Sequence, residues 1–188
     1  CIDLLAFTGH KSLLGPQGVG GLCIGDGVEM TPLVQGGTGS DSEFDVHPAF
    51  LPDRYESGTM NTVGIAGLGA GIGYIRKKGL ARIREQEESL TKRLIEGLSS
   101  IVGMSIYGPR DGNKQIGVVA FGMEGIKPCD VGYHLDREYG IMTRVGLHCA
   151  PSAHKTMGTF PEGTVRFSVS CFNDEDDAAR AVQAVKET

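Results

Sequence analysis

The first residues of the chain alternate between short apolar runs and a loop rich in glycine. Apolar residues fill 2–8 and 18–24, and the loop between them reads Gly-His-Lys-Ser-Leu-Leu-Gly-Pro-Gln. Runs of this length that are bounded by glycine and proline are typical of buried strands. The pattern predicts two neighbouring buried strands with a functional loop between them.

The middle of the chain changes from irregular to helical. Residues 26–60 are polar, rich in Gly, Asp and Pro, and without periodicity, which in a compact domain indicates a functional or ligand-covered segment. Asn61-Thr62 begins a predicted helix that ends at Gly79. A second helix is predicted at about 80–100, because its apolar residues form one stripe beneath a charged face.

The last third of the chain predicts an α+β module. Its apolar pattern indicates four strands and two helices, and the pair Asn173-Asp174 suits the start of the final helix. The predicted strands are 104–107, 116–122, 141–145 and 164–170, and the predicted helices are 128–139 and 174–186.

Composition excludes several classes of function. The 188 residues carry a net charge of −5, so no basic face indicates a nucleic acid or an anionic membrane as a partner. No apolar run is long enough to span a bilayer. Five scattered cysteines without a CxxC pair argue against a disulfide framework and a zinc site, and they favour a reducing, cytoplasmic location. Glycine clusters between 9 and 79, which indicates close backbone approach to a ligand or tight helix packing.

Thr8-Gly9-His10-Lys11 stands at the end of the first predicted strand. A lysine that is shielded there would form a Schiff base more readily, because only a neutral amine attacks an aldehyde. Thr8 and His10 can donate hydrogen bonds to a phosphate. The alternative is a surface turn with an ordinary solvated lysine.

The segment 55–61, Tyr-Glu-Ser-Gly-Thr-Met-Asn, lies directly before the first predicted helix. Backbone N–H groups at a helix start, together with the Thr59 hydroxyl, can bind a phosphate. The alternative is a simple helix cap without a ligand.

The segment 144–151 reads Arg-Val-Gly-Leu-His-Cys-Ala-Pro. Cys149 follows His148 in a Gly- and Pro-containing loop that also holds Arg144, and such neighbours favour the reactive thiolate. The alternative is a small core residue.

Arg166 stands inside a predicted strand of mostly apolar or small residues. A buried arginine needs an anionic partner, and bidentate carboxylate binding is one natural use of it. An internal salt bridge is the alternative.

Taken together in this order, the four motifs resemble the class V aminotransferase and cysteine desulfurase family. The resemblance covers essentially the whole chain, corresponds to the C-terminal half of such enzymes, and is nearest to the desulfurase group with a short cysteine loop. It implies the α/β fold-type-I architecture of pyridoxal-phosphate-dependent transferases. In that architecture 1–79 is the C-terminal part of the cofactor-binding large domain, 80–103 a connecting helix, and 104–188 the small C-terminal α+β domain.

The resemblance also implies a cofactor and a dimer. Lys11 would hold pyridoxal 5'-phosphate as a Schiff base, with Thr8 and His10 at its phosphate. Thr59 would reach the phosphate of the neighbouring subunit's cofactor in a homodimer.

For the substrate, the resemblance implies that Arg166 holds the α-carboxylate of L-cysteine, and we assign Arg144 to the same substrate site. Cys149 would take the sulfur as a persulfide and leave L-alanine. A class V aminotransferase or a selenocysteine lyase is an alternative within the family. A non-catalytic α/β interaction module is the alternative from another class.

Two departures shape further expectations. Family members place an aspartate at the pyridine nitrogen and a ring over the cofactor well before the lysine, and Asp3 is too near Lys11 for that role. We therefore expect the chain alone to bind the cofactor poorly and to show no desulfurase activity. We also expect a short loop at 151–159, so that a sulfur-acceptor protein would have to come to Cys149.

Overall fold

The computed structural model describes residues 2–41 and 43–188, and the chain divides into two units, Cys1–Lys78 and Gly79–Thr188. In the first unit, β1 (Leu4–Thr8) and β2 (Gly20–Ile24) form an antiparallel pair. Both predicted strands are therefore confirmed. In the described part of this unit, residues 25–61 form neither helix nor strand.

The prediction that β1 and β2 are buried is wrong for this chain. Leu4, Leu5 and Leu22 are 44–49% exposed. The described residues of the first unit form two strands and one helix, which is too little structure to cover both faces of a sheet.

Helix α1 (Thr62–Lys78) packs directly onto the loop that carries Lys11. A Cβ at Gly67 would lie 2.9 Å from the Pro16 ring, and one at Gly71 would lie 2.5 Å from the carbonyl oxygen of Leu13. Only glycine permits so close a backbone approach. The glycine cluster therefore serves tight helix packing here, one of the two uses that the sequence indicates.

The second unit holds a four-stranded antiparallel sheet with strand order β3-β4-β6-β5. Helices α2, α3 and α5 contact one another or the sheet. The strands are β3 (Met104–Tyr107), β4 (Val118–Met123), β5 (Arg144–Gly146) and β6 (Thr164–Ser168). The helices are α2 (Leu80–Ser99), α3 (Pro128–Tyr139), α4 (Pro151–Met157) and α5 (Glu175–Lys186), and Gly112–Lys114 form a 3-10 turn.

The core of this unit lies between the helices and one face of the sheet. Leu94 and Leu98 of α2 are almost fully buried with Phe121 of β4 and Val165 of β6. Each fully buried side chain of this size contributes about 1.5–3 kcal/mol to folding. The last helix begins as predicted, because the Asp174 side chain accepts the Asp177 N–H and Asp177 returns the contact in a capping box.

Two parts of the second unit differ from the sequence prediction. The strand predicted at 141–145 shrinks to Arg144–Gly146, and Met142 is 87% exposed instead of packed. The predicted loop at 151–159 is wrong, since 151–157 form helix α4. Pro151 at its start and Gly158 at its left-handed end are ordinary helix boundaries. The search for apolar periodicity did not find this helix, because the residue that it buries, His154, is polar.

Among the described residues, no helix combines the length and the apolar character that crossing a bilayer requires.

Gly163 holds the turn that leads into β6. Its φ is 81°, and a Cβ there would collide with the backbone of Gly146 at the end of β5. Gly158 has a similar φ of 72°, but a Cβ there would meet no atom within 4 Å.

We expect Gly163→Ala to destabilise the protein more than Gly158→Ala. The left-handed backbone penalises both alanines by about 1–2 kcal/mol, and only Gly163→Ala adds a clash, for a total of roughly 3 kcal/mol or more. Chemical denaturation of the two variants measures the difference. Equal losses would show that the contact between β5 and Gly163 is not tight.

Candidate active site

Two arginines lie side by side on the sheet of the second unit. Val165 and Phe167 of β6 point into the core, so the pleat turns Arg166 to the opposite face. Arg166 is paired across the strands with Ala120 on one side and with Arg144 on the other. Residues paired in this way share a face of the sheet.

The charge of Arg166 is not neutralised within the described chain. Its Nε is buried and has no hydrogen-bond partner there, and none of the ion pairs between described residues includes it. Between residues that the structure describes, the internal salt bridge that the sequence left open as an alternative is therefore not formed. Two like charges on paired positions repel each other, so this face favours an anion.

Cys149 lies on a tight turn directly after β5. The N–H of Ala150 donates to the carbonyl of Leu147 over 2.8 Å, and the two central residues, His148 and Cys149, have φ values of 51° and 61°. Positive φ at both central residues is the mark of a type I′ turn, which normally takes glycine or asparagine. Such a backbone costs about 1–3 kcal/mol per residue and is concentrated at functional sites. The turn leaves Cys149 exposed, so it is not a core residue.

Arg144 contacts both residues of this turn. Its Nη2 donates to Cys149 Sγ over 3.4 Å, and its carbonyl accepts from His148 Nε2 over 3.1 Å. A carbonyl only accepts, so Nε2 carries the imidazole proton and Nδ1 keeps its lone pair. The Arg144 guanidinium is thus close enough to the Cys149 sulfur to form an ion pair with its thiolate.

His148 is held in its neutral form. Partial burial is the largest effect that lowers its pKa, and the charges of Arg166, His154 and Arg144 lower it further, against the opposing hydrogen bond to the Arg144 carbonyl. Because its pKa lies below the usual value of 6.5, the neutral form of the imidazole predominates at pH 7. A neutral imidazole next to Cys149 can accept a proton.

Two polar residues behind this turn were missed by sequence reasoning. His154 of α4 is only 8% exposed, and its ring centroid lies 5.6 Å from that of His148. Its Nδ1 is 2.7 Å from Thr159 Oγ1. The available indication was a second histidine, six residues after His148, in a short segment bounded by Pro151 and Gly158.

The remaining predicted site residues lie in the first unit. Thr8, His10 and Lys11 are all exposed at the end of β1, so the described residues do not shield Lys11 from water as the sequence led us to expect. The Lys11 carbonyl accepts the Leu14 N–H over 2.9 Å, and the Gly9 carbonyl accepts the Gly15 N–H over 2.9 Å. These bonds close the loop into a defined turn that presents the amine.

Thr59 is also exposed and lies three residues before α1. The cap of that helix comes from Asn61, whose Oδ1 accepts the Gly64 N–H over 3.0 Å. The Thr59 hydroxyl is therefore not used as the helix cap.

Three of the four described cysteines lie in the second unit. Cys23, Cys129 and Cys149 are exposed thiols and Cys171 is buried, while Cys1 lies outside the described residues. No group of three or more His, Cys, Asp or Glu side chains in 2–41 and 43–188 is arranged to hold a metal ion.

Comparison with known proteins decides the family. The model of the family "Aminotransferase class-V" matches residues 1–180. The chain belongs to the class V aminotransferase family. This match confirms the family that the sequence motifs indicated. Class V aminotransferases are pyridoxal-phosphate-dependent enzymes.

The relatives of this class V aminotransferase chain include proteins described as probable cysteine desulfurases. One from Pyrococcus abyssi is 40% identical over 189 residues, which cover 98% of this chain and 46% of the relative. One from Methanothermobacter thermautotrophicus is 37% identical over 180 residues, which cover 93% of this chain and 44% of the relative. The chain thus spans about half the length of the curated relatives it matches.

Solved structures confirm the predicted fold class. The apo structure of a cysteine desulfurase from Thermococcus onnurineus matches with a TM-score of 0.84 and 36% identity, over 98% of this chain and 46% of that one. A cysteine desulfurase from Escherichia coli matches with a TM-score of 0.81 and 28% identity, over 99% and 46% of the two chains. The class V aminotransferase chain therefore has the α/β fold-type-I architecture.

We expect Arg144→Ala to slow alkylation of the Cys149 thiol by roughly tenfold at neutral pH, because the cation beside the sulfur is lost. Mass spectrometry of the Cys149 peptide after timed iodoacetamide treatment measures the rate. Arg137→Ala, at an exposed position on α3, is the matched control and should leave the rate unchanged. Equal rates in both variants would mean that the Arg144 contact does not influence the thiol.

Proposed function

We propose that the protein carrying this chain is a pyridoxal-phosphate-dependent cysteine desulfurase. It removes sulfur from L-cysteine and leaves L-alanine and a persulfide on Cys149. The observation that carries the proposal is an exposed cysteine on a strained turn, in contact with Arg144 and one strand away from the unneutralised Arg166. The family match and the relatives described as probable cysteine desulfurases support it.

Arg166 binds the α-carboxylate of the substrate. Its buried Nε lacks a partner among the described residues, and a guanidinium recognises a carboxylate through two parallel N–H···O bonds. Arg144 completes the cationic face from the neighbouring strand. A bound carboxylate would relieve the repulsion between these two side chains and fix the orientation of the amino acid.

The residues of the first unit have the chemistry that the cofactor needs. Lys11 offers an accessible primary amine on a closed turn, and Thr8 and His10 offer a hydroxyl and an imidazole within four residues of it. This donor set fits an aldehyde and a phosphate on one small molecule. When bound, pyridoxal phosphate withdraws electrons from Cα of an amino acid.

Cys149 accepts the sulfur atom. Its thiolate attacks the substrate sulfur, the bond between that sulfur and Cβ breaks, and the electron pair stays with Cβ, which takes up a proton to give alanine. Arg144 steadies the negative charge on sulfur over 3.4 Å. The neutral His148 accepts the thiol proton beforehand, and Lys11 moves protons at the substrate Cα.

The assembly follows from the same proposal. Two subunits form a homodimer in which Thr59, exposed in the single chain, binds the phosphate in the site of the other subunit. Because Cys149 lies on a tight turn that leads into helix α4, its sulfur has little freedom to travel. A sulfur-acceptor protein therefore comes to the exposed thiol.

We expect borohydride reduction of the full-length protein to leave a pyridoxyl group on Lys11, since only a bound imine is trapped by the reagent. Peptide mass spectrometry locates the adduct. Lys11→Ala should abolish it, whereas Lys77→Ala, at an exposed position on α1, should not. An adduct on another lysine, or none, would contradict the cofactor assignment.

We expect Cys149→Ser to abolish persulfide formation and to reduce alanine release from L-cysteine by roughly a thousandfold or more, because a hydroxyl is a far weaker nucleophile toward sulfur. Transamination should be spared, since it has no use for this side chain. Cys129→Ser is the matched control at another exposed cysteine of the same unit. Undiminished alanine release in Cys149→Ser would favour a lyase without a cysteine acceptor.

A further inference from the structure

His154 and Thr159 form a buried polar contact that the steps above do not use. His154 projects from α4 and is 8% exposed. Thr159 lies just beyond the end of that helix, and its hydroxyl is 2.7 Å from His154 Nδ1. A buried imidazole with so short a contact has a fixed ring plane, because rotation would leave a nitrogen without its partner.

The Thr159 hydroxyl lies close to two polar atoms of His154, the ring Nδ1 and the backbone carbonyl. The His154 carbonyl already accepts the N–H groups of Thr159 over 2.9 Å and Phe160 over 3.2 Å, which fills both of its lone pairs. The Thr159 hydroxyl reaches that carbonyl only at 3.4 Å. The 2.7 Å contact with Nδ1 is the shorter of the two, so it is the one that fixes the orientation of the ring.

The fixed ring in turn limits the motion of His148. The two imidazoles lie 5.6 Å apart between centroids and are tilted by 59°. On its other side, His148 is tied through Nε2 to the Arg144 carbonyl. Two contacts thus hold one ring at the residue before Cys149, within a turn whose φ values are unfavourable for both residues.

We propose that His154, backed by Thr159, is a positioning residue that fixes the His148 imidazole beside Cys149. It touches neither the sulfur nor the substrate in this role. Thr159 sets the orientation of His154, His154 packs on His148, and His148 keeps the turn and its proton-accepting Nδ1 in place. This role rests on the proposed function, in which Cys149 is the sulfur acceptor, and it adds a residue that supports that step.

The pH dependence of the thiol reports on this arrangement. The groups facing His148 are Arg144 from β5, Arg166 from β6 and His154 from α4. At low pH the His148 ring becomes protonated and can no longer accept the Cys149 proton. The rate of thiol alkylation against pH therefore carries an inflection from His148, and that inflection moves when the ring is no longer held.

Thr159→Val and Thr159→Ser test the proposal in the full-length protein. Alkylation of Cys149 by iodoacetamide is followed against pH by peptide mass spectrometry, and the exposed Cys129 of the same unit is the internal reference. Valine removes the hydroxyl at equal volume, so we expect Cys149 to react about tenfold more slowly with a shifted pH profile. Serine keeps the hydroxyl and should restore the wild-type rate.

The outcomes separate positioning from a structural role. A lower melting temperature of Thr159→Val with an unchanged Cys149 rate and pH profile would overturn the proposal, as would equal slowing of Cys149 and Cys129. If that variant does not fold, His154→Gln carries the same expectation, because the amide can still form a hydrogen bond with Thr159 but offers no ring to His148. Alkylation needs neither cofactor nor substrate, so an unchanged full-length protein without desulfurase activity would refute the proposed function and leave this role intact.

Discussion

The pleat of β6 determines where the chemistry of the second unit lies. Alternate residues of a strand point to opposite faces, so burying Val165 and Phe167 in the core forces Arg166 to the other side. The pairing with β5 then places Arg144 on the same side, next to it. A slip of one residue in this pairing would move Arg144 to the core face. The hydrophobic core thus sets the position of a polar site that it does not contact.

Much of the fold could be predicted from the sequence because its patterns are local. The apolar stripe of α2 and the acidic start of α5 need no knowledge of the rest of the chain, and both helices lie close to their predicted bounds. Helix α4 could not be found in this way, because the pattern search weighted apolar residues and its buried contact is made by His154. The burial of β1 and β2 was predicted wrongly, since burial depends on neighbouring elements and not on the strand's own residues.

The candidate site shows the same division. Residue types and their order in the chain indicated Cys149, Arg144 and Arg166, but not the contacts between them. The 3.4 Å contact from Arg144 to the sulfur depends on a turn with positive φ at His148 and Cys149, and neither residue is one that such a turn normally selects. Residue preferences for turns do not predict a positive φ at histidine or cysteine, so this turn could not be found from the sequence.

Helix α4 also acts as a spacer of fixed length. It joins the turn of Cys149 to Thr159 in two turns of helix, and it begins at Pro151 and ends at the left-handed Gly158. Each residue of an α-helix adds about 100° of rotation. One residue inserted or deleted before His154 would therefore turn it away from His148, and one after it would displace Thr159. Homologous chains that keep this arrangement therefore tolerate changes of side chain along α4 far better than changes in its number of residues.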